Sequence, residues 1–462
     1  MWIKKGQNEI DMTEGKLFPK ILLFSLPLMA SGVLQLLFNA ADLVVVGRYS
    51  GEEALGAVGS TGSLVNLIVQ VFMGLSVGTN VVAARFFGAQ DEDGVSRTVH
   101  TSILVSLIGG IAVGVFGFLM AKPLLTLMDT PPDVLPLAVQ YMKIYFIGMP
   151  ACMVYNFGSA ILRAEGDTRR PLYFLTAAGV LNVILNLVTV IGFHMGVSGV
   201  ALATTVSQTL SAILVVICLM RMPGSFRLEL RKLRVSKEIL LMMAKIGLPA
   251  GLQGSIFSVS NVMIQSAVNS FQSTAVVAGN TAASNIEGFI YTIMNSVYHA
   301  AITFTGQNYG AKKYDRINKI LRDCLIFVFA AGALTGVLAF VFAPQLLSIY
   351  TDKQEAIAVG MKRMSLICVT YFLCGMMDTM VGMLRGLGYS VMPMIVSLVG
   401  ACGLRIVWIY TVFAQFRTLE SLYISYPISW FITLAVHVIC YTVVKRRLDR
   451  RIAAMQYRDA VA

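Results

Sequence analysis

Apolar runs long enough to cross a bilayer follow one another along nearly the whole chain, separated by short polar stretches. A helix rises 1.5 Å per residue, so about 20 apolar residues span the hydrocarbon. On this pattern the chain is an all-α integral membrane protein with twelve transmembrane helices. The predicted spans are 20–47, 55–84, 98–121, 134–162, 171–193 and 197–220, then 240–271, 275–305, 319–343, 357–384, 390–413 and 421–444. Several exceed the minimum length, which implies tilt or extension beyond the bilayer. The segments outside are an N-terminus (1–19), a basic linker (221–239) and a tail (445–462). They flank two six-helix sets, an N-lobe at 20–220 and a C-lobe at 240–444.

The two sets repeat each other. LRAEGDTRRP starts at Leu162 and LRGLGYSVMP starts at Leu384, and the offset of 222 also carries Arg163 to Arg385, Gly166 to Gly388 and Pro171 to Pro393. The same offset carries Leu26 and Pro27 to Leu248 and Pro249, Gly32 to Gly254, and Gly88 and Ala89 to Gly310 and Ala311. An even number of helices per repeat preserves orientation, so the two bundles are expected to be pseudo-symmetric about an axis along the membrane normal. Two such bundles with a cleft between them would suit alternating access. A duplicated channel or scaffold would show the same repeat.

Composition agrees with the spans: 56% of residues are hydrophobic and 13% charged, against about 25% charged in an ordinary soluble chain. The connections alternate in charge. Most of the 36 Lys and Arg fall in the N-terminus, around Arg85 and Arg97, at Arg163, Arg169 and Arg170, in RMPGSFRLELRKLRVSK, in AKKYDRINK, at Arg385 and in KRRLDRR. The opposite connections hold Arg48, Lys122, Lys353 and Arg417. Positive residues stay inside, so both termini are expected in the cytoplasm and the protein in the cytoplasmic (inner) membrane. The net charge of +12 follows from this topology and from anionic headgroups, and no nucleic-acid partner is needed to explain it. The polar opening MWIKKGQNEIDMTEG lacks the apolar core of a cleaved leader. The seven cysteines are scattered with no CxxC pair, which suggests neither a disulfide framework nor a metal site. No GxxxxGK[ST] motif suggests ATP drive.

Ionisable residues inside a membrane are costly and mark function by default. Asp42 lies in FNAADLVVVG, roughly 7 Å inside the outer end of the first helix. The fifth helix reads LNVILN, and its i, i+4 spacing puts Asn182 and Asn186 on one face. Thr204, in ALATT of the sixth helix, reaches a similar depth. A carboxylate, two amides and a hydroxyl suit a hard cation such as Na⁺; equally, Asp42 alone could carry a proton, and the amides could simply bind helix to helix. The offset takes Asp42 to Ile264, Asn182 to Leu404 and Asn186 to Trp408, so the halves differ in function. The second half has its own charges: Glu287 in SNIEGFIYTIM, Asp378 in GMMDTMVGML and Arg405 in CGLRIVW. The acids are candidates for facing substrate, and Arg405 is expected to neutralise one of them. Gln35, Asn39, Asn156 and Gln253 are further polar positions for a cavity. Many of the 25 Met, 25 Phe and 17 Tyr serve packing, but such side chains also suit a cavity for varied apolar cations.

In this order the segments SLPLMASGVLQLLFNAADLVVVGR, LRAEGDTRRP, LNVILN, GVALATTVSQ, GQNYGAKKYDRI and LRGLGYSVMP resemble the multidrug and toxic compound extrusion (MATE) transporters over essentially the whole chain. The resemblance implies an antiporter, not an enzyme, that exports organic cations or other amphiphilic small molecules in exchange for Na⁺ or H⁺. It needs no cofactor beyond the coupling ion. It places the coupling carboxylate on Asp42, the cation site on Asp42, Asn182, Asn186 and Thr204, and a conformational bend on Pro27. Some members have an aspartate where Asn186 stands. One branch has a seventh-helix glutamate that LPAGLQGSIFSVSN lacks, and a tenth-helix aspartate where Cys374 stands, one turn before Asp378; a C-lobe cation site of that kind is not expected. A monomer embedded in lipid is the expected form. The nearest alternative is a flippase for lipids or lipid-linked oligosaccharides, which would want a larger basic cavity. An intramembrane aspartyl protease would need two carboxylates at one depth, and Asp42 and Asp378 fall in opposite leaflets.

Overall fold

The computed structural model describes residues 10–128 and 130–461; the first nine residues of the N-terminal segment, Asp129 and Ala462 lie outside the described residues. The described residues are helical nearly throughout, with no strand among them. The first repeat comprises α1 (Leu17–Tyr49), α2 (Glu52–Gly88), α3 (Glu92–Leu127), α4 (Leu135–Ile147), α5 (Met149–Glu165), α6 (Arg169–Asn186) and α7 (Gly196–Arg221). The second comprises α8 (Lys237–Asn269), α9 (Thr274–Gly310), α10 (Ile317–Val341), α11 (Ala343–Ser348), α12 (Gln354–Ile367), α13 (Phe372–Gly386), α14 (Val391–Ser397), α15 (Leu404–Trp408), α16 (Leu419–Tyr423) and α17 (Ser425–Val461).

The offset read from the sequence reappears in the backbone. It carries both ends of α2 onto those of α9, and the start of α6 onto that of α14. The turns LRAEGDTRRP and LRGLGYSVMP each pass through a left-handed glycine, Gly166 at φ 113° and Gly388 at φ 85°, a conformation that costs glycine little. Gln90 and Lys312, related by the same offset, share φ 58°. After Gly166, the Asp167 carboxylate accepts from the backbone N–H groups of Arg169 and Arg170 at 2.9 and 3.1 Å, capping α6.

Nine helices are long and apolar enough to cross a membrane, and two bent pairs bring the number to eleven among the described residues. Helix α9 completes the twelve by position and length, 37 residues, although polar side chains such as Asn280, Glu287, Asn295 and Gln307 make it less apolar. Two expected spans are broken rather than continuous. Helices α4 and α5 meet at 48°, as do α12 and α13. Pro150 in the first turn of α5 has no N–H to continue the ladder; the second break lies at the equivalent position without a proline. The expected span 390–413 also departs from a plain α-helix, with π-helical turns at Leu398–Gly403 and Ile409–Phe413. The linker is basic as expected, but it is more closely docked than its charge suggested. It forms two short 3₁₀ turns, buries Phe226 and Leu228, and is tied to α3 where the Glu229 N–H donates to His100 Nε2 at 3.0 Å.

By packing, the chain divides into unit 1, Met1–Ser258 with Thr303–Lys319, and unit 2, Val259–Ile302 with Ile320–Ala462. Unit 1 contains helix crossings too close for side chains. A Cβ on Gly74 would lie 2.2 Å from Gly251 N, and one on Gly78 2.2 Å from Met243 O. Small residues let membrane helices approach in this way, so that dispersion and packing hold them. At the ends of α2 and α9, a Cβ on Gly88 would lie 2.0 Å from Gln307 O, and one on Gly310 would lie 2.0 Å from Arg85 O. Each contact maps onto the other under the repeat offset, the mark of a local pseudo-two-fold. Within unit 2, α10 packs on the bent pair through Gly332 and Gly336, the counterparts of Gly110 and Gly114 on α3.

Candidate cation site

Unit 1 brings together the four residues that the sequence singled out. The register is set by Gly179 of α6, where a Cβ would lie 1.8 Å from the Phe38 ring of α1. Asp42 is one turn beyond Phe38, and Asn182 and Asn186 are one and two turns beyond Gly179, so this contact brings carboxylate and amides face to face. Asn186 Nδ2 donates to Asp42 Oδ1 at 2.5 Å and to Asn182 Oδ1 at 3.2 Å. Thr204 Oγ1 of α7 donates to Asp42 Oδ2 at 3.5 Å, and Asn182 Nδ2 donates to Thr204 Oγ1 at 3.5 Å. Asn186 is fully buried, and its Oδ1 accepts from nothing. A buried amide oxygen without a partner is costly. Just past Asn186 the helix widens into a π turn, Leu187–Gly192. The repeat offset carries its first residue onto that of the π turn Ile409–Phe413.

The carboxylate thus has donors on both oxygens, and an idle acceptor one atom away on the same amide. If the Asn186 amide turns over, Oδ1 replaces Nδ2 beside Asp42. Five oxygens from four residues would then surround one point: two of Asp42 and one each of Asn182, Asn186 and Thr204. That donor set fits a hard monovalent cation. A proton on Asp42 would use the same rotation, its O–H donating to Asn186 Oδ1. Among the described residues no three His, Cys, Asp or Glu gather to hold a metal of another kind.

The remaining expected positions lie elsewhere. Gln35 and Asn39 share the α1 stripe of Asp42 and are exposed. Asn156 donates to Cys152 O of its own helix at 2.7 Å. Gln253 is buried in α8. Helix α1 runs unbroken through Pro27, whose missing N–H leaves one ladder bond unmade. In unit 2, Glu287 is neutralised, but not by Arg405. Its carboxylate takes Arg363 Nε at 2.8 Å and Nη2 at 2.7 Å, while Arg363 Nη1 donates to Asn280 Oδ1 at 2.7 Å. Arg363 lies inside the expected span 357–384, and a cation within an apolar run is the signal that the sequence offers for a partner of Glu287. Arg385 is the cation that acts on Asp378, with Tyr291 beside it, so the expected pairing of Arg405 with either acid is not made among the described residues. Tyr141 of α4, within electrostatic reach of Asp42 and stacked with Tyr145 at 6.0 Å between centroids, is a neighbour that the spacing of polar residues could not reveal.

The repeated membrane helices and the partly buried Asp42, set among two amides and a hydroxyl, are the arrangement to set beside known membrane transporters. The MatE family model matches the chain twice, at residues 27–188 and 249–411, and the two matches start one repeat offset apart. The chain therefore belongs to the MatE family. It is 27% identical over 422 residues to the probable multidrug resistance protein YoeA of Bacillus subtilis, covering 89% of this chain and 90% of that one. It is 29% identical over 402 residues to the probable multidrug resistance protein YpnP of the same organism, covering 86% and 88%. The fold is shared with the crystal structure of MATE in complex with MaD3S, with a TM-score of 0.90 at 23% identity over 96% of this chain and 100% of that chain.

Proposed function

We propose that the protein is a secondary active exporter, exchanging organic cations or amphiphilic small molecules for inward Na⁺ or H⁺ at Asp42. The observation that carries this reading is the unpartnered Oδ1 of Asn186 on the amide whose Nδ2 bonds Asp42. The relatives named as probable multidrug resistance proteins support the substrate class. A cation at Asp42 reverses the Asn186 amide and changes how α1 is held against α6. An organic cation that needs the ionised carboxylate competes with it. Each ligand must favour a different packing of α1, because a ligand with equal affinity for both states shifts nothing. Pro27 supplies the weak point in α1 about which that packing changes. The two six-helix lobes, 20–220 and 240–444, are read as the alternating elements, with both termini cytoplasmic and the monomer as the working unit.

The test uses purified protein in liposomes loaded with a fluorescent organic cation. Dye loss is recorded after an inward Na⁺ gradient and, separately, an inward proton gradient. The reading expects one gradient to drive export in wild type, and Asp42→Asn to abolish that drive while remaining monodisperse with an unchanged melting temperature. Gradient-driven export retained by Asp42→Asn would refute the role of Asp42.

A further inference from the structure

The helix that supplies the two asparagines has its counterpart in residues 391–413. There the offset places Leu404 and Trp408 at the asparagine positions, and puts Arg405 where the first repeat has Val183. With Ile264 opposite Asp42, the second repeat has exchanged a carboxylate and its amides for a guanidinium. Arg405 is 3% exposed. Its Nε donates to Ser429 Oγ at 2.9 Å, and its guanidinium carbon lies 4.2 Å from the Tyr426 ring centroid and 5.4 Å from that of Trp430. Tyr371 stacks on Trp430 at 5.1 Å. Arg405 Nη2 is buried and donates to nothing. No carboxylate pairs with Arg405 among the described residues: Glu287 is held by Arg363, and the cation acting on Asp378 is Arg385. The turn carrying Arg405 is also unusual. It is α-helical only over Leu404–Trp408, between the π turns Leu398–Gly403 and Ile409–Phe413. The first of these has no counterpart, since residues 176–181 lie within α6. Widened turns of this kind are frequent at functional sites.

We infer that Arg405 is the centre of a second binding site, one that takes the oxyanion (carboxylate or phosphate) of an aromatic amphiphile. A desolvated guanidinium is costly without a counter-charge. The faces of Tyr426 and Trp430 offset part of that cost, and the idle Nη2 donor is left for an acceptor. The planar fork of arginine matches an oxyanion's geometry, and Tyr426 and Trp430 are the aromatic faces beside it. That this ligand is also a transported substrate rests on the exporter reading above; the binding site itself does not.

The test is therefore a binding measurement on the full chain in phosphatidylcholine nanodiscs. The probes are rhodamine 110, which carries a free carboxylate, and rhodamine 123, its methyl ester, titrated by fluorescence anisotropy. Wild type is expected to bind the acid about 10-fold or more tightly than the ester, the scale of a charge-assisted hydrogen bond inside a protein. Arg405→Gln should erase that preference while changing ester affinity less than about 3-fold, and Arg405→Lys should retain part of it. Discs containing phosphatidylglycerol separate the two sources of the oxyanion. A lipid headgroup that fills the site removes the acid's advantage in wild type, whereas a site kept for substrate preserves it; either outcome upholds an oxyanion site. Equal binding of acid and ester by wild type in phosphatidylcholine, or a preference that survives Arg405→Gln, overturns it. Neither overturning result touches the exporter reading so long as the ester binds and is exported on an ion gradient.

Discussion

Alanine at Gly88 or Gly310 tests the pseudo-two-fold at its tightest point. In the native structure a Cβ on Gly88 would sit 2.0 Å from Gln307 O, and one on Gly310 2.0 Å from Arg85 O. A carbon and a carbonyl oxygen rest at roughly 3.3 Å, so either substitution must push α2 and α9 apart by about 1.3 Å where they cross. The obstacles are backbone atoms, which cannot swing aside as a side-chain tip would. Overpacking of this kind costs about 1–3 kcal/mol. Because the two contacts are equivalent, the variants should lose similar stability. Once the first methyl has parted the helices the second finds space already made, so Gly88→Ala/Gly310→Ala together should cost clearly less than the sum of the singles. Melting of the four proteins in one detergent, with circular dichroism as readout, measures this. Losses that add, or a loss confined to one of the two glycines, would show that the crossing is not a shared contact and would refute the argument.

Three further tests address the polar groups inside the helices. Asn186→Ala removes a donor at 2.5 Å from Asp42 together with the idle oxygen, and should weaken coupling-ion affinity about 10-fold or more, read as a rise in the ion concentration giving half-maximal export with little change in melting temperature. Asn186→Asp should instead place two carboxylates within hydrogen-bond reach, where one holds a proton, so its export should follow the proton gradient; unchanged ion dependence would count against the site. Arg363→Met leaves Glu287 buried and unpaired and should cost about 3–5 kcal/mol, most of it recovered by Glu287→Gln in the same chain. A double variant no more stable than Arg363→Met would mean that Glu287 is compensated elsewhere.

Much of this protein is legible in its sequence because its solvent is a bilayer. Backbone groups in hydrocarbon must be bonded within the helix, so apolar runs mark most of the spans, and a fixed offset of identical residues marks the repeat without any contact. The gathering of Asp42, Asn182, Asn186 and Thr204 was also foreseeable, since buried polar residues at one depth in one bundle have few other partners. What the sequence left open depends on distances between side chains far apart in the chain. The pairing of Glu287 with Arg363 rather than Arg405 is decided by which helix faces are packed together, and run length carries no trace of facing. The breaks between α4 and α5 and between α12 and α13, like the π turns, are features of the backbone path that apolarity does not record. The idle Oδ1 of Asn186 and the idle Nη2 of Arg405 exist only because packing excludes every other partner. Composition along the chain therefore determined where the helices run and which residues are expensive. Only tertiary structure decided which of those expensive groups are satisfied and which still lack a partner.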